Sequence, residues 1–359
     1  MKDIIPELNN KDYINDLLEI YDVHFCQVNE INELVAFIDR YWKKNHIFVL
    51  SRKLLDWQHY DAINERYNFV IAKSKKTGEI DSILGFVPTY QFDSTIRNVE
   101  IWPCIWKSRD DVHVKGLGVS LYYYLKNNIS NIETISILGI SEIALSIYKH
   151  WNFSTGKIKQ YYILNEDIEH FNLIKNEVID NNKYFNSAIN ITKINEADLV
   201  KLLNIHNMYI NKYKSIGYYV NRFLKHPLYK YQIYLVKELN DPRLILFTRE
   251  CMHNNNQCLR IVDFIGNFDK LGNIYYQLQD ILKKNRYEYI DFINVGLDSD
   301  IIKKVGFRDI DDSNIVIPNY YEPFLLENVR LDYAYKTILD KPDCVFVKAD
   351  ADQDRPNLL

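Results

Sequence analysis

No two cysteines stand in a CxxC pair. Cys26, Cys104, Cys251, Cys258 and Cys344 are odd in number and scattered. That excludes a zinc ribbon and predicts reduced thiols, as in the cytoplasm. The net charge is −4 with no basic block, so nucleic acid is not an expected partner. No apolar run approaches the ~20 residues of a membrane span. The opening stretch, Met1 to Asn10, is polar and acidic, unlike a signal peptide. What remains is a chain of 359 residues, 47% hydrophobic and 26% charged, as expected of a soluble globular protein of two domains. Its 28 tyrosines suit half-buried strands, or flat polar-tipped contacts to a sugar or base.

Periodicity gives the first half its elements. Asp22–Val28 reads as a strand. Glu30–Trp42 reads as an amphipathic helix through Ile31, Leu34, Val35, Phe37, Ile38 and Tyr41. Ile47–Leu50 reads as a short extended piece, and Arg52–Ala62 as a helix. Three strands follow, Tyr67–Lys73, Ile80–Tyr90 and Val99–Lys107, the first two joined by a Thr77-Gly78 turn. Pro103 has no N–H for a strand ladder, so it predicts a bulge. Val119–Asn127 is helical, Thr134–Ile140 a strand, Ser141–His150 a helix and Lys157–Leu164 a strand. The order β-α-α-β-β-β-α-β-α-β describes a mixed sheet flanked by helices, an α/β class.

Between the third strand and its helix lies Val112-His113-Val114-Lys115-Gly116-Leu117-Gly118-Val119. Glycines there let the backbone approach a ligand, and the first N–H groups of the helix attract an anion. The third glycine of a dinucleotide fingerprint is lacking, and so is the Gly-Lys-Ser/Thr of a P-loop.

The order and two motifs resemble the GNAT superfamily of acyl-CoA N-acyltransferases. His113-Val114-Lys115-Gly116-Leu117-Gly118 matches the family's Arg/Gln-x-x-Gly-x-Gly/Ala, with His113 departing from it. Ser141 to Phe153 matches Asn-x-x-Ala-x-x-Leu-Tyr-x-x-x-Gly-Phe at Ala144, Tyr148 and Phe153, with Ser141 and Asn152 departing. The resemblance implies acyl-CoA as cosubstrate, held by Cys104, Ile105, Trp106, Lys107, His113, Val114, Lys115, Gly116, Leu117, Gly118, Val119 and Ser141. It implies Tyr148 as the acid that protonates the departing thiolate. Amine deprotonation stays open among Glu100, His59 with Asp61, and solvent. A backbone N–H of Cys104–Trp106 at the bulge is expected to polarise the carbonyl, and the free strand edge to take pantetheine amides.

The element order recurs from Ile189, so the chain is expected to hold two tandem GNAT-like domains. Each would be a mixed, mostly antiparallel sheet flanked by helices. Expected bounds are 1–165 for the acyl-CoA domain, 166–188 for a connector, and 189–359 for a degenerate repeat that supports the first or shapes its acceptor site. In the repeat, Gly266-Asn267-Phe268-Asp269-Lys270-Leu271-Gly272-Asn273 stands where the glycine stretch would be. It lacks Gly-x-Gly, and Asp269 would repel a phosphate.

The tail, Phe346 to Asn357, carries Asp350, Asp352 and Asp354 without the Gly and Glu of a calcium loop. A solvated terminus is one reading. The other has Asp352, Asp354 and Arg355 lining an acceptor cleft, because the tail resembles that of N-acyltransferases acting on dTDP-linked amino-deoxysugars for surface polysaccharide. Trp57, Trp102 and Asp61 are further acceptor candidates. Three functions stay open: that transferase, with acetyl or a short hydroxyacyl such as 3-hydroxybutanoyl; an acetyltransferase of a peptide, amino acid or polyamine; and a binding protein without turnover.

Overall fold

The computed structural model describes residues 11–176, 184, 187–338 and 346–357. Cys344 and part of the expected connector, 177–183 and 185–186, lie outside them. The chain divides into two compact units. The first runs through Ile137 and takes in Tyr335–Ile338 and Asn357; the second comprises Leu138–Ala334 and the described tail up to Pro356.

The first unit contains α1 (Lys11–Ile20), β1 (Tyr21–Gln27), α2 (Ile31–Phe37), α3 (Ile47–Leu50), α4 (Arg52–His59) and β2 (Tyr60–Asp61). It continues with β3 (Arg66–Ser74), β4 (Ile80–Pro88), β5 (Val99–Ser108), α5 (Leu117–Asn128) and β6 (Ile132–Leu138). The sheet order is β1-β3-β4-β5-β6, with β2 on β3. All neighbours are antiparallel except β5 and β6. One sheet face carries Phe69, Ile71 and Ile83 against Ile31, Leu34 and Phe37 of α2 and Leu54 and Leu55 of α4. On the other, Phe25 meets Tyr124 of α5 with ring centroids 5.2 Å apart. Ile47–Leu50 is helical rather than extended. The His46 ring nitrogen caps it by accepting from the Phe48 N–H, and Ile47 and Phe48 are buried, so packing overrides the preference of a β-branched run.

The second unit contains α6 (Glu142–His150), β7 (Ser154–Lys157), β8 (Lys159–Leu164), β9 (Ile189–Ile194), α7 (Glu196–Ile205) and α8 (Ile216–Tyr219). Next come β10 (Tyr231–Glu238), β11 (Asp241–His253), β12 (Asn256–Gly266), α9 (Tyr275–Asn285), β13 (Tyr289–Val295), α10 (Ser299–Val305) and β14 (Arg308–Asp309). β15 (Asp332–Thr337) ends in the first unit, and β16 (Phe346–Val347) belongs to the tail. The sheet order is β14-β8-β13-β12-β11-β10-β9, with β16 on β13. Helix α7 stops at Ile205. The Asn211 side chain accepts from the Tyr213 N–H, a local turn that competes with helix.

The strand read as Lys157–Leu164 is two strands, β7 and β8. β8 pairs with β13, from Leu164 opposite Tyr289 to Lys159 opposite Asn294. Tyr161, Tyr162 and Ile163 are buried on both faces, as a central strand requires. The two sheets share a detail beyond element order. In each, one parallel neighbour pair is short, and the first strand of that pair carries a bulge. The expected class, two mixed and mostly antiparallel sheets flanked by helices, is the observed one.

Candidate active site

In the first unit β5 and β6 pair only at Val99–Ile132, Glu100–Thr134 and Ile101–Ile135. Both strands run on, to Ser108 and Leu138, so their edges part beyond Ile101. Just past that point the register between β4 and β5 shifts. Phe86 faces Pro103, but Leu84 faces Trp106. The extra residue lies on β5, where Pro103 predicts it. A strand that leaves its neighbour and bulges presents backbone groups to a ligand.

The chain turns after β5 into the glycine stretch. Gly116 adopts φ +68°, a left-handed conformation that an L side chain resists, and begins α5. It has no side chain with which to cap the first turn, where the Leu117 N–H donates to the Val114 carbonyl at 3.4 Å. Gly118 serves differently. Trp106 Nε1 donates to its carbonyl at 2.9 Å, and an added Cβ would lie 3.1 Å from that nitrogen and 3.2 Å from Ser108 Oγ. It therefore lets α5 pack close on β5. Leu117 and Val119 are buried in that packing, while His113 and Lys115 are exposed.

Charge ahead of the stretch is balanced. Lys107 pairs with Asp110 at 2.5 Å, and Arg109 with Asp111 at 2.8 Å and Glu79 at 2.6 Å. The Arg109 hydrogen bond holds the Asp111 carboxyl down to about 2. The acidic pair is thus compensated where an anion would approach.

The other expected site residues fall into two groups. Glu100 is buried on β5 and accepts from the Ser136 hydroxyl of β6. Cys104, Ile105 and Trp106 lie at the bulge. Trp57 is half-buried, its ring 5.0 Å from Phe92. His59 was expected on the acceptor side but sits in the core with 0% exposure, between Phe48 and Phe69. Its Nδ1 lies 3.1 Å from the Phe86 carbonyl, which can only accept, so Nδ1 carries the proton. Asp61 is also buried, and accepts from the N–H groups of Ile63 and Asn64 in the turn after β2. Trp102 is fully buried. These three have core or turn surroundings, not those of a surface that meets substrate.

In the second unit Ser141 is exposed and caps α6, its Oγ accepting from the Ala144 N–H at 3.4 Å. Tyr148 is buried, with ring centroids 4.9 Å from Phe153 and 5.9 Å from Trp151. Asn152 takes φ +57°, the torsion for which the motif uses glycine.

The second unit repeats the strand arrangement and fills it. β12 and β13 pair only at Leu259–Ile290, Arg260–Asp291 and Ile261–Phe292. Beyond, the tail enters. Val347 pairs with Asn294 of β13, and the Ala349 N–H donates to the Val262 carbonyl of β12. Buried ion pairs hold it: Asp350 with Lys214 at 2.8 Å, and Asp354 with Arg249 at 2.9 Å. Tyr231 also donates to Asp354 at 2.7 Å. The tail is therefore core, not a solvated terminus, and Asp354 is fully engaged there. Asp352 and Arg355 are half-buried and pair with each other at 2.8 Å. At the repeat's counterpart of the glycine stretch, Phe268, Leu271 and Ile274 are buried in the core.

Sequence reasoning missed Ser136. Its signal was there: Ser136 is a buried hydroxyl residue between Ile135 and Ile137 in the strand Ile132–Leu138.

These features define the fold of the GCN5-related N-acetyltransferases. Among solved structures, a GCN5-related N-acetyltransferase from Anabaena variabilis superposes with a TM-score of 0.52 at 11% identity, covering 89% of this chain and 73% of that one. One from Kribbella flavida gives 0.50 at 7% identity, covering 89% and 72%. An Enterococcus faecalis protein described as a probable N-acyltransferase gives 0.50 at 10%, covering 87% and 72%. No family model matches the sequence, and no curated protein matches it by sequence. No helix among the described residues is long and apolar enough to cross a membrane.

Proposed function

We propose that the chain is an acyl-CoA-dependent N-acyltransferase whose donor site lies in the first unit. The observation that carries this is the parting of β5 from β6 beside the Pro103 bulge, followed at once by left-handed Gly116 at the start of α5. The pyrophosphate of CoA binds at the start of α5, and pantetheine amides add along β5 where it has parted from β6. A backbone N–H of Cys104–Trp106 polarises the thioester carbonyl. The acceptor amine attacks that carbon, so a C–N bond forms and the C–S bond breaks. Glu100 takes the amine proton, and Tyr148, the tyrosine of the second motif, protonates the thiolate.

The finer reading has an acetyl or short hydroxyacyl group passing to the amine of a dTDP-linked amino-deoxysugar for surface polysaccharide. The resemblance of the tail supports it. Trp57 is the proposed flat contact, and Asp352 and Arg355 remain the tail's acceptor candidates, since Asp354 is occupied by Arg249. Thiol release from acetyl-CoA, with a panel of dTDP-linked and free amino sugars, tests both levels. Release with amines but not with dTDP-sugars removes the finer reading; release no faster than a protein-free blank with every amine removes the transferase. Tyr148→Phe is expected to lower kcat more than it weakens CoA binding.

A further inference from the structure

Ser136 stands at a particular place in the first unit. Thr134 lies opposite Glu100 in the parallel register, and strand alternation puts Ser136 on the same face two residues on. The last pair is Ile101–Ile135, so Ser136 is the first β6 residue beyond the pairing. Its side chain is fully buried, and its hydroxyl donates to Glu100 Oε1. The carboxylate therefore reaches forward, toward the end where the strands part. The backbone behind it is fixed as well, since the Glu100 N–H donates to Thr89 Oγ1 at 3.2 Å.

The corresponding place in the second unit is built for another purpose. There the central parallel pair is Arg260 with Asp291, a bidentate ion pair at 2.7–3.2 Å that also binds the carbonyls of Pro318 and Asn319. That arrangement locks the two strands to the loop at Pro318 and Asn319. A carboxylate oriented by a hydroxyl is a different device.

We propose that Ser136 is a positioning residue, which aims the Glu100 carboxylate into the β5–β6 opening and favours its charged form. The inference rests on Glu100 acting as the base. Loss of a donor to a carboxylate raises its affinity for a proton. In Ser136→Ala the acidic limb of the pH–rate profile is therefore expected to move up by roughly one pH unit, a tenfold change in proton affinity. Ser136→Thr keeps the hydroxyl and is expected to keep the limb. CoA affinity, measured by calorimetry, stays unchanged in both variants. A merely structural serine would lower the melting temperature without moving the limb. If Ser136→Ala and wild type superimpose while Glu100→Gln is inactive, the positioning role is overturned. If Glu100→Gln turns over at the wild-type rate, the base assignment falls, and this role with it.

Discussion

Replacing Gly116 separates a conformational need from a ligand need. At φ +68° a Cβ costs about 1–2 kcal/mol, so Gly116→Ala is expected to lower stability by that amount. In a unit of this size each kcal/mol shifts the melting temperature by about 2–8 °C. Asparagine enters the left-handed region more readily, as Asn152 does at φ +57°, so Gly116→Asn is expected to lose less stability than Gly116→Ala. Both variants place a side chain where the pyrophosphate is proposed to approach the backbone. Both are therefore expected to weaken CoA by about tenfold or more, near 1.4 kcal/mol, whatever their effect on stability. Thermal denaturation gives the first quantity and isothermal calorimetry with CoA the second. Unchanged CoA affinity in a folded Gly116→Asn protein would refute the assignment of this loop. Equal stability of the alanine and asparagine variants would refute the torsional argument.

Two further predictions concern the tail. Burial, with Arg260 and Arg249 nearby, brings the Lys348 amine down to about 7 from 10.5. Between those values the unfolded chain binds one more proton, so stability rises with pH at about 1.4 kcal/mol per unit. Lys348→Met is expected to flatten this slope in denaturant titrations at pH 7.5, 8.5 and 9.5; a slope unchanged by the substitution would mean that Lys348 keeps its proton. For Asp354, burial alone would raise the carboxyl, but Arg249 and the hydrogen bonds outweigh it and hold it at about 2. Asp354→Ala strands a buried guanidinium and is expected to cost about 3–5 kcal/mol in chemical denaturation. Undiminished stability with a raised acceptor KM would instead restore Asp354 to the acceptor site.

The sequence made the framework legible wherever a local rule decided the outcome. Pro103 announced its bulge because a missing N–H cannot be disguised. The Gly-x-Gly pair announced a helix start, although only Gly116 needs the torsion and Gly118 serves packing against Trp106. Features decided by long-range pairing stayed hidden. Nothing local in Lys159–Leu164 says that it pairs with β13, about 130 residues on. The tail reads as an acidic terminus because its partners, Lys214 and Arg249, lie more than 100 residues away. His59 looks like a base in sequence because type alone does not reveal that Phe48 and Phe69 enclose it.

The central claim is one donor site, in the first unit. Isothermal calorimetry of the full chain with CoA tests it most directly. The account predicts one CoA per chain, with binding weakened in Gly116→Asn and unaffected by Asp269→Asn in the repeat. No detectable binding, or binding that persists unchanged in Gly116→Asn, would contradict it.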